Sequence, residues 1–201
     1  MSRQQRATNR SVSRARGLRP LRDSFLIFCQ GQTELGYFSS FRKRAKFIGG
    51  GDARDTVANA IAYKNNNQKG YDQYWVVLDK DETSHARFNA AIHLALESGI
   101  QVAWSNQAFE CWIILHFRDF RHACHRNDYE ALLQQYLPWY DAGDKGEAQG
   151  RKFYEATISL IQTAIQHASD GHDSFQEHIA PAHRETVSKI YELAKAILGN
   201  S

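Results

Sequence analysis

Residues 25–38 have the sequence F-L-I-F-C-Q-G-Q-T-E-L-G-Y-F, and this stretch decides the fold. Its first five residues form a continuous apolar run that is rich in strand formers and is followed closely by Gly31. Such a run predicts a buried β-strand. After the turn, Thr33 is expected to cap a helix with Glu34 in its first turn, where a negative charge suits the helix dipole. The stretch therefore predicts a strand, a tight turn and a helix.

Two apolar runs farther along the chain repeat the strand pattern. Residues 74–78 have the sequence Y-W-V-V-L and lead into D-K-D-E, and residues 100–104 have the sequence I-Q-V-A-W. A helix is predicted between the first two strands, at about residues 56–63, with Asp52 or Asp55 as its N-terminal cap.

A second connecting helix is predicted from the helical spacing of Phe88, Ile92 and Leu96, and Gly99 is expected to end it. An apolar helix at residues 108–117, starting near Asn106, follows the third strand. Because parallel neighbours need crossover connections, this alternation predicts an α/β fold with a mainly parallel sheet flanked by helices. Ligands of such sheets bind outside the carboxyl ends of the strands.

The sequence from residue 120 onward is predicted to be helical. Amphipathic patterns indicate helices at residues 151–168 and 184–198, and a Gly-rich polar loop is expected at residues 141–150. The predicted division of the chain is a basic disordered arm at 1–22, an α/β core at 23–119 and a helical extension packed on that core at 120–201.

Positive charge is concentrated at the N-terminus. The net charge is +3, yet residues 1–22 contain seven arginines and no acid, so the rest of the chain is acidic. Such an arm is expected to attract phosphate backbones, and a solubilising tail without a ligand is the alternative. The candidate nucleic-acid contacts in the arm are Arg14, Arg16, Arg19 and Arg22.

The cysteine content and hydropathy predict a cytoplasmic protein without a membrane partner. Cys29, Cys111 and Cys124 are widely spaced, and no stretch has the apolar segment of a signal peptide. No apolar run reaches the roughly 20 residues that a membrane-spanning helix needs.

Three acids follow the first two predicted strands. Glu34 lies just beyond the first strand, and Asp79 and Asp81 follow the second. Because the carboxyl ends of parallel strands share one edge of a sheet, these carboxylates are expected to meet and to hold Mg²⁺ or Mn²⁺. An isolated Asp-x-Asp pair is a weak signal, and its combination with C-Q-G-Q-T-E strengthens it.

The chain resembles the RloB-like family along most of its length. The resemblance is carried by the basic arm and by residues 25–38, 71–82, 105–117 (S-N-Q-A-F-E-C-W-I-I-L-H-F) and 183–193 (H-R-E-T-V-S-K-I-Y-E-L). It implies a Toprim-like fold whose acids bind divalent metal and act on phosphodiesters, in proteins of bacterial phage-defence loci. It also implies nucleic acid as a partner, and an operon-encoded partner such as an ATPase.

Position 30 departs from the family pattern, which is usually Cys-Glu-Gly. Here it is Gln30, and an amide neither takes up a proton at neutral pH nor supplies a negative charge. Either Glu34, Asp79 and Asp81 suffice for a reduced metal site, or the protein keeps a binding role without the chemistry. A metal-dependent nuclease is the first hypothesis, an impaired Toprim-like binding module the second, and a structural partner subunit the third.

Other candidate residues each have a structural alternative. Glu110 is a candidate catalytic residue by its place in F-E-C-W, although a helix-dipole or ion-pair role explains it equally well. His116 lies on an apolar stripe, which favours a hydrogen-bonded core histidine. The further candidates for phosphate contact are Lys80, Lys145 and Lys152, and the zinc-like group rejected for its spacing is His122, Cys124 and His125.

Overall fold

A computed structural model describes residues 24–49, 51–67, 70–121 and 126–199 of the chain. The predicted arm at 1–22, with Arg14, Arg16, Arg19 and Arg22, lies outside the described residues, as do His122, Cys124 and His125. Within the described ranges, no helix has the length and apolar character needed to cross a membrane.

One sheet of four parallel strands organises the described part of the chain, in the order β2-β1-β3-β4. Its strands are β1 (Phe25–Cys29), β2 (Arg44–Phe47), β3 (Gln73–Asp79) and β4 (Gln101–Ser105). The α/β prediction is confirmed, and the arrangement is consistent with a Toprim-like fold. Strand β2 was not predicted, because its sequence R-A-K-F is half polar and it lies exposed at the edge of the sheet.

Helices cover both faces of the sheet. In chain order they are α1 (Gln32–Ser40), α2 (Ala53–Asn66), α3 (His85–Glu97), α4 (Glu110–Ile114), α5 (Tyr129–Gln134), α6 (Glu147–Thr157), α7 (Ile161–Asp173) and α8 (Ile190–Leu198). Alternate residues of β1 enter separate apolar clusters, as the strand period requires. Leu26 and Phe28 pack with α2 and α3, and Ile27 packs with α1, α4 and the helices after residue 120.

Several predicted helix boundaries were wrong. Thr33 lies inside α1, whose N-cap is Gly31 without a side-chain hydrogen bond. The predicted cap of α2 is confirmed as Asp52 and not Asp55, because the Oδ1 of Asp52 accepts from the backbone N–H of Arg54 (2.9 Å) and of Asp55 (3.2 Å). The helix predicted at residues 108–117 is only the five-residue α4.

The helices after residue 120 also differ from the predicted ones. A 3-10 turn at Ile158–Leu160 divides the helix predicted at 151–168, and residues 147–150 of the predicted loop belong to α6. The last helix begins at Ile190 because the residues before it pair with the end of β4, where the Lys189 N–H donates to the Trp104 carbonyl (2.7 Å). Leu96, expected on an apolar face, is 50% exposed.

Helix α1, which carries Glu34, is held by a close backbone contact with α6. A Cβ at Gly150 would overlap the carbonyl oxygen of Thr33 and lie 2.7 Å from the backbone nitrogen of Tyr37. A Cβ at Gly36 would overlap the carbonyl oxygen of Glu147 in the same way. The two glycines let these helices approach more closely than any side chain would allow.

We expect Gly150→Ala to lower the free energy of unfolding by about 1–3 kcal/mol, because the added methyl group forces the helices apart. Gly171→Ala in α7 is the matched control, since a Cβ there meets no atom within 4 Å in the described structure. The control should raise stability by up to about 1 kcal/mol through its higher helix propensity. Urea unfolding of both variants measures this, and equal stabilities would contradict the close contact.

A buried hydrogen-bond chain fixes α4 against α1. The indole N–H of Trp112 donates to the Tyr37 hydroxyl (3.2 Å), whose oxygen lies 3.4 Å from His116 Nε2. Nδ1 of His116 lies 3.0 Å from the Trp112 carbonyl oxygen, so this nitrogen carries the proton. The prediction of a hydrogen-bonded core histidine is confirmed, and burial lowers the pKa of His116 to about 4.

This pKa predicts acid sensitivity of the fold. Between about pH 6.5 and pH 4 the unfolded chain binds a proton at His116 that the folded chain does not, so stability falls as the pH falls through this window. The full loss is about 3 kcal/mol. Stability of wild type and His116→Gln, measured by urea unfolding from pH 7 to pH 4, should show a shallower decline in the variant. Parallel curves would contradict the prediction.

Candidate active site

A cavity of about 530 Å³ opens beyond the carboxyl ends of β1 and β3. Among its described lining residues, five are acids and one is a lysine. Every core residue that the sequence nominated as catalytic is present there, and Lys145 as well. All the charged and amide residues of the described lining are Gln30, Gln32, Glu34, Asp79, Asp81, Glu110, Asn127, Glu130 and Lys145.

Gln30 joins the ends of the two central strands. Its Oε1 accepts from the backbone N–H of Asp79 (3.1 Å), and its own N–H donates to the Val77 carbonyl (3.3 Å). An amide oxygen and a carboxylate oxygen are both competent acceptors for this bond. Gln30 therefore makes a structural hydrogen bond at this position without supplying an acid.

Glu34 and Asp79 bury two carboxyl groups side by side. Glu34 is 5% exposed and Asp79 is 9% exposed. Burial raises the pKa of Glu34 to about 7, even though its own backbone N–H favours the charged form, and the Glu110 and Asp81 charges raise it further. Burial also raises the pKa of Asp79, with the Glu34 charge as the next cause. Desolvation thus outweighs the favourable helix N-terminus at Glu34.

Glycine makes room for this pair. A Cβ at Gly31 would collide with the Glu34 carboxylate, so the Gln30-Gly31 turn admits the carboxylate only because residue 31 has no side chain. One oxygen of Asp79, Oδ1, is buried and has no hydrogen-bond partner among the residues that the structure describes. A buried carboxylate oxygen without a donor is costly unless a proton or a cation satisfies it.

Asp81 belongs to a turn that connects β3 with the segment after β4. Its backbone has φ 40°, in the left-handed region that few residues other than glycine adopt. Its N–H donates to the Gln107 carbonyl (2.8 Å), and the Lys80 N–H donates to the Ser105 carbonyl (3.0 Å). These bonds hold the second acid of the Asp-x-Asp pair at the cavity.

Glu110 begins α4 and is oriented by a residue from the helical part. The hydroxyl of Tyr140 donates to Glu110 Oε1 at 3.0 Å. Burial and the Glu110 charge raise the pKa of Tyr140, so the phenol keeps its proton and remains a donor. Sequence reasoning missed Tyr140, Glu130 and Asn127, since no local pattern indicates that residues so distant in sequence line the cavity.

Two of the predicted phosphate contacts lie outside the cavity lining. Lys80 donates through Nζ to the Asp81 carbonyl (3.3 Å). The Nζ of Lys152 lies 5.6 Å from the centre of the Trp139 ring. Lys145 alone of the three lines the cavity, near Ala142 and Tyr140.

The donor set fits a hard divalent cation. Mg²⁺ and Mn²⁺ bind carboxylate oxygens, and Mg²⁺ commonly takes only one or two of them and completes its shell with water and phosphate oxygens. Asp79 Oδ1, which has no hydrogen-bond partner among the residues that the structure describes, could bind such an ion. No group of three His, Cys, Asp or Glu side chains in the described ranges is arranged around one ion. A site with few protein ligands agrees with both observations.

Comparison with known proteins identifies the family. A comparison with curated proteins found no match, and neither did one with solved structures. A family model described as RloB-like protein matches residues 25–197, from the start of β1 into α8. The match includes the strand ends, α4 and the helical part that together surround the cavity. The chain therefore belongs to the RloB-like family.

Proposed function

We propose that the protein is a divalent-metal-dependent nuclease that hydrolyses phosphodiester bonds of DNA or RNA in bacterial anti-phage defence. The observation that carries the proposal is the meeting of Glu34, Asp79, Asp81 and Glu110 at one cavity beyond the strand ends, where one Asp79 oxygen has no hydrogen-bond partner among the described residues. Membership of the RloB-like family supports it. An operon-encoded partner such as an ATPase is part of the same proposal.

Each residue has a proposed task. Glu34, Asp79 and Asp81 are the candidate ligands for Mg²⁺ or Mn²⁺, of which Asp79 and one other would bind directly, and the ion when bound would polarise a phosphate oxygen and lower the pKa of a coordinated water. Lys145 is the phosphate contact at the cavity wall. Glu110, held by Tyr140, is placed to accept a proton or to orient water. Gln30 positions Asp79 and has no ionisable proton to transfer.

Charge explains why a cation is needed before a phosphodiester can enter the cavity. Five acids and one lysine among the described lining residues repel a phosphodiester. A divalent ion would offset part of this negative charge and would also satisfy the buried carboxylates. The arm residues Arg14, Arg16, Arg19 and Arg22, with Lys80 and Lys152, are proposed to hold the strand outside the cavity.

A binding module without cleavage is the second candidate. It is favoured by Gln30, whose amide keeps the hydrogen bond to the Asp79 N–H while removing an acid from the site. In that case the cavity retains nucleic acid or a protein partner and leaves phosphodiester bonds intact.

Asp79→Asn tests the first candidate. We expect cleavage of DNA or RNA with Mn²⁺ to fall about 100-fold or more, since the variant loses a charged ligand. The melting temperature should stay equal or rise, because one of two crowded buried carboxyls becomes neutral. Asp173→Asn, at a side chain that is 71% exposed, is the matched control and should leave cleavage unchanged. Full activity of Asp79→Asn would refute the proposed site.

Gln30→Glu separates the two candidates. The carboxylate accepts the same Asp79 N–H, so the fold is kept while one negative charge is added beside the metal ligands. We expect calorimetry to show Mn²⁺ affinity about tenfold higher than in wild type. Cleavage that appears only in the variant would establish the binding module as the natural state. Unchanged Mn²⁺ affinity would show that position 30 does not face the metal.

A further inference from the structure

The segment after α5 holds one aromatic side chain outward between two buried anchors. The Tyr140 N–H donates to the Leu137 carbonyl (2.9 Å), which makes Pro138 and Trp139 the central residues of a β-turn. Leu137 and Tyr140 are each 4% exposed, whereas Trp139 is 39% exposed. The proline and the two anchors fix the turn, so the indole is presented in a defined place.

Trp139 differs in this from the other tryptophans of the chain. Trp75, Trp104 and Trp112 are 5%, 1% and 0% exposed, so they are core residues. A large indole left in contact with water in a fixed turn has lost apolar burial that the other three retain. This contrast points to a ligand for its free surface.

A second exposed ring lies three residues before Trp139 in the sequence, and an ammonium lies beside the indole. Tyr136 is 37% exposed and stacks on Phe117 with 4.8 Å between ring centres and 7° between planes. Such stacking engages one face of a ring and leaves the opposite face for another planar group. The Lys152 ammonium lies 5.6 Å from the Trp139 ring centre. Aromatic faces beside an ammonium are the combination that binds bases together with their phosphates.

The same segment leads directly into the acidic cavity. Trp139 and Tyr140 both pack on Phe153, each with 5.5 Å between ring centres. Tyr140 then lines the cavity and donates to Glu110 at 3.0 Å. Trp139 is therefore linked to the cavity wall through Phe153 and Tyr140.

We propose that Tyr136, Trp139 and Lys152 form a stacking platform for unpaired bases, and that the substrate of the cavity is a single-stranded or unpaired segment of nucleic acid. The inference rests on the proposed function and deepens it. Bases inside a duplex are stacked on one another and offer no free face, so the platform favours an unpaired strand. The base stacks on the rings, and the Lys152 ammonium turns to the phosphate.

Intrinsic fluorescence tests the platform directly, because Trp139 is the one solvent-exposed tryptophan of the chain. The full-length protein is titrated in EDTA at low salt with oligo-dT and oligo-U of about 12 nucleotides, and with the same oligo-dT annealed to oligo-dA. We expect the single strands to quench the emission of Trp139 and the duplex to quench it much less. Equal quenching by the duplex, or no quenching, would overturn the platform.

Variants give the second readout, by fluorescence anisotropy of labelled oligo-dT and oligo-U. Trp139→Ala should weaken binding at least about fivefold, and Trp139→Phe should weaken it less because it keeps a ring. Leu96→Ala, at an apolar residue that is more exposed than Trp139 (50% against 39%) and lines a different cavity, should bind like wild type. Wild-type affinity of Trp139→Ala would overturn the proposal. A change in Trp139 emission on raising the protein concentration without oligonucleotide would also overturn it, because it would indicate that Trp139 lies in a protein interface.

The test is independent of catalysis. Because binding is measured in EDTA, loss of stacking with intact Mn²⁺-dependent cleavage refutes the platform and leaves the nuclease. Stacking that persists while cleavage is absent supports the platform and refutes the nuclease.

Discussion

The burial of two carboxyl groups side by side, those of Glu34 and Asp79, is the constraint on which the site depends. Parallel pairing of β1 with β3 brings the two strand ends together, and the Gln30 bond to the Asp79 N–H joins them. Desolvation makes two adjacent buried charges unfavourable, so the pair needs either a proton or a cation. The rest of the fold keeps the carboxyls in place against this cost, since a looser frame would let them separate into water.

The helical part after residue 120 belongs to the site as much as to the core. It holds α1 in place through the close backbone contact at Gly150 of α6, and it supplies Tyr140, whose hydroxyl donates to Glu110. It also brings Glu130 and Lys145 to the cavity wall. The cavity at the strand ends is therefore lined by residues of the helical part as well as by residues of the sheet.

Sequence reasoning was most successful for elements whose structure is determined by residues close together in the sequence. Continuous apolar runs predicted β1, β3 and β4, and the parallel topology that they imply predicted Glu34, Asp79 and Asp81 at one edge of the sheet. Sequence reasoning failed where tertiary contacts determine the structure. It missed β2 because β2 is a polar edge strand. It placed the start of the last helix too early, because residues 187–189 pair with the end of β4 and the helix begins at Ile190. Tyr140 reaches Glu110 through a contact that no periodic pattern encodes. Whether the gathered acids bind metal stays a prediction.

Anomalous diffraction from a crystal soaked in Mn²⁺ tests the central claim most directly, because it locates the ion without relying on a substrate. The account predicts a peak inside the cavity, bonded to Asp79 Oδ1 and to at least one oxygen of Glu34 or Asp81. An occupied Mn²⁺ site elsewhere with nothing in the cavity, or no bound Mn²⁺ at all, would contradict it. Either result would mean that a proton, and not a cation, balances the buried carboxyls.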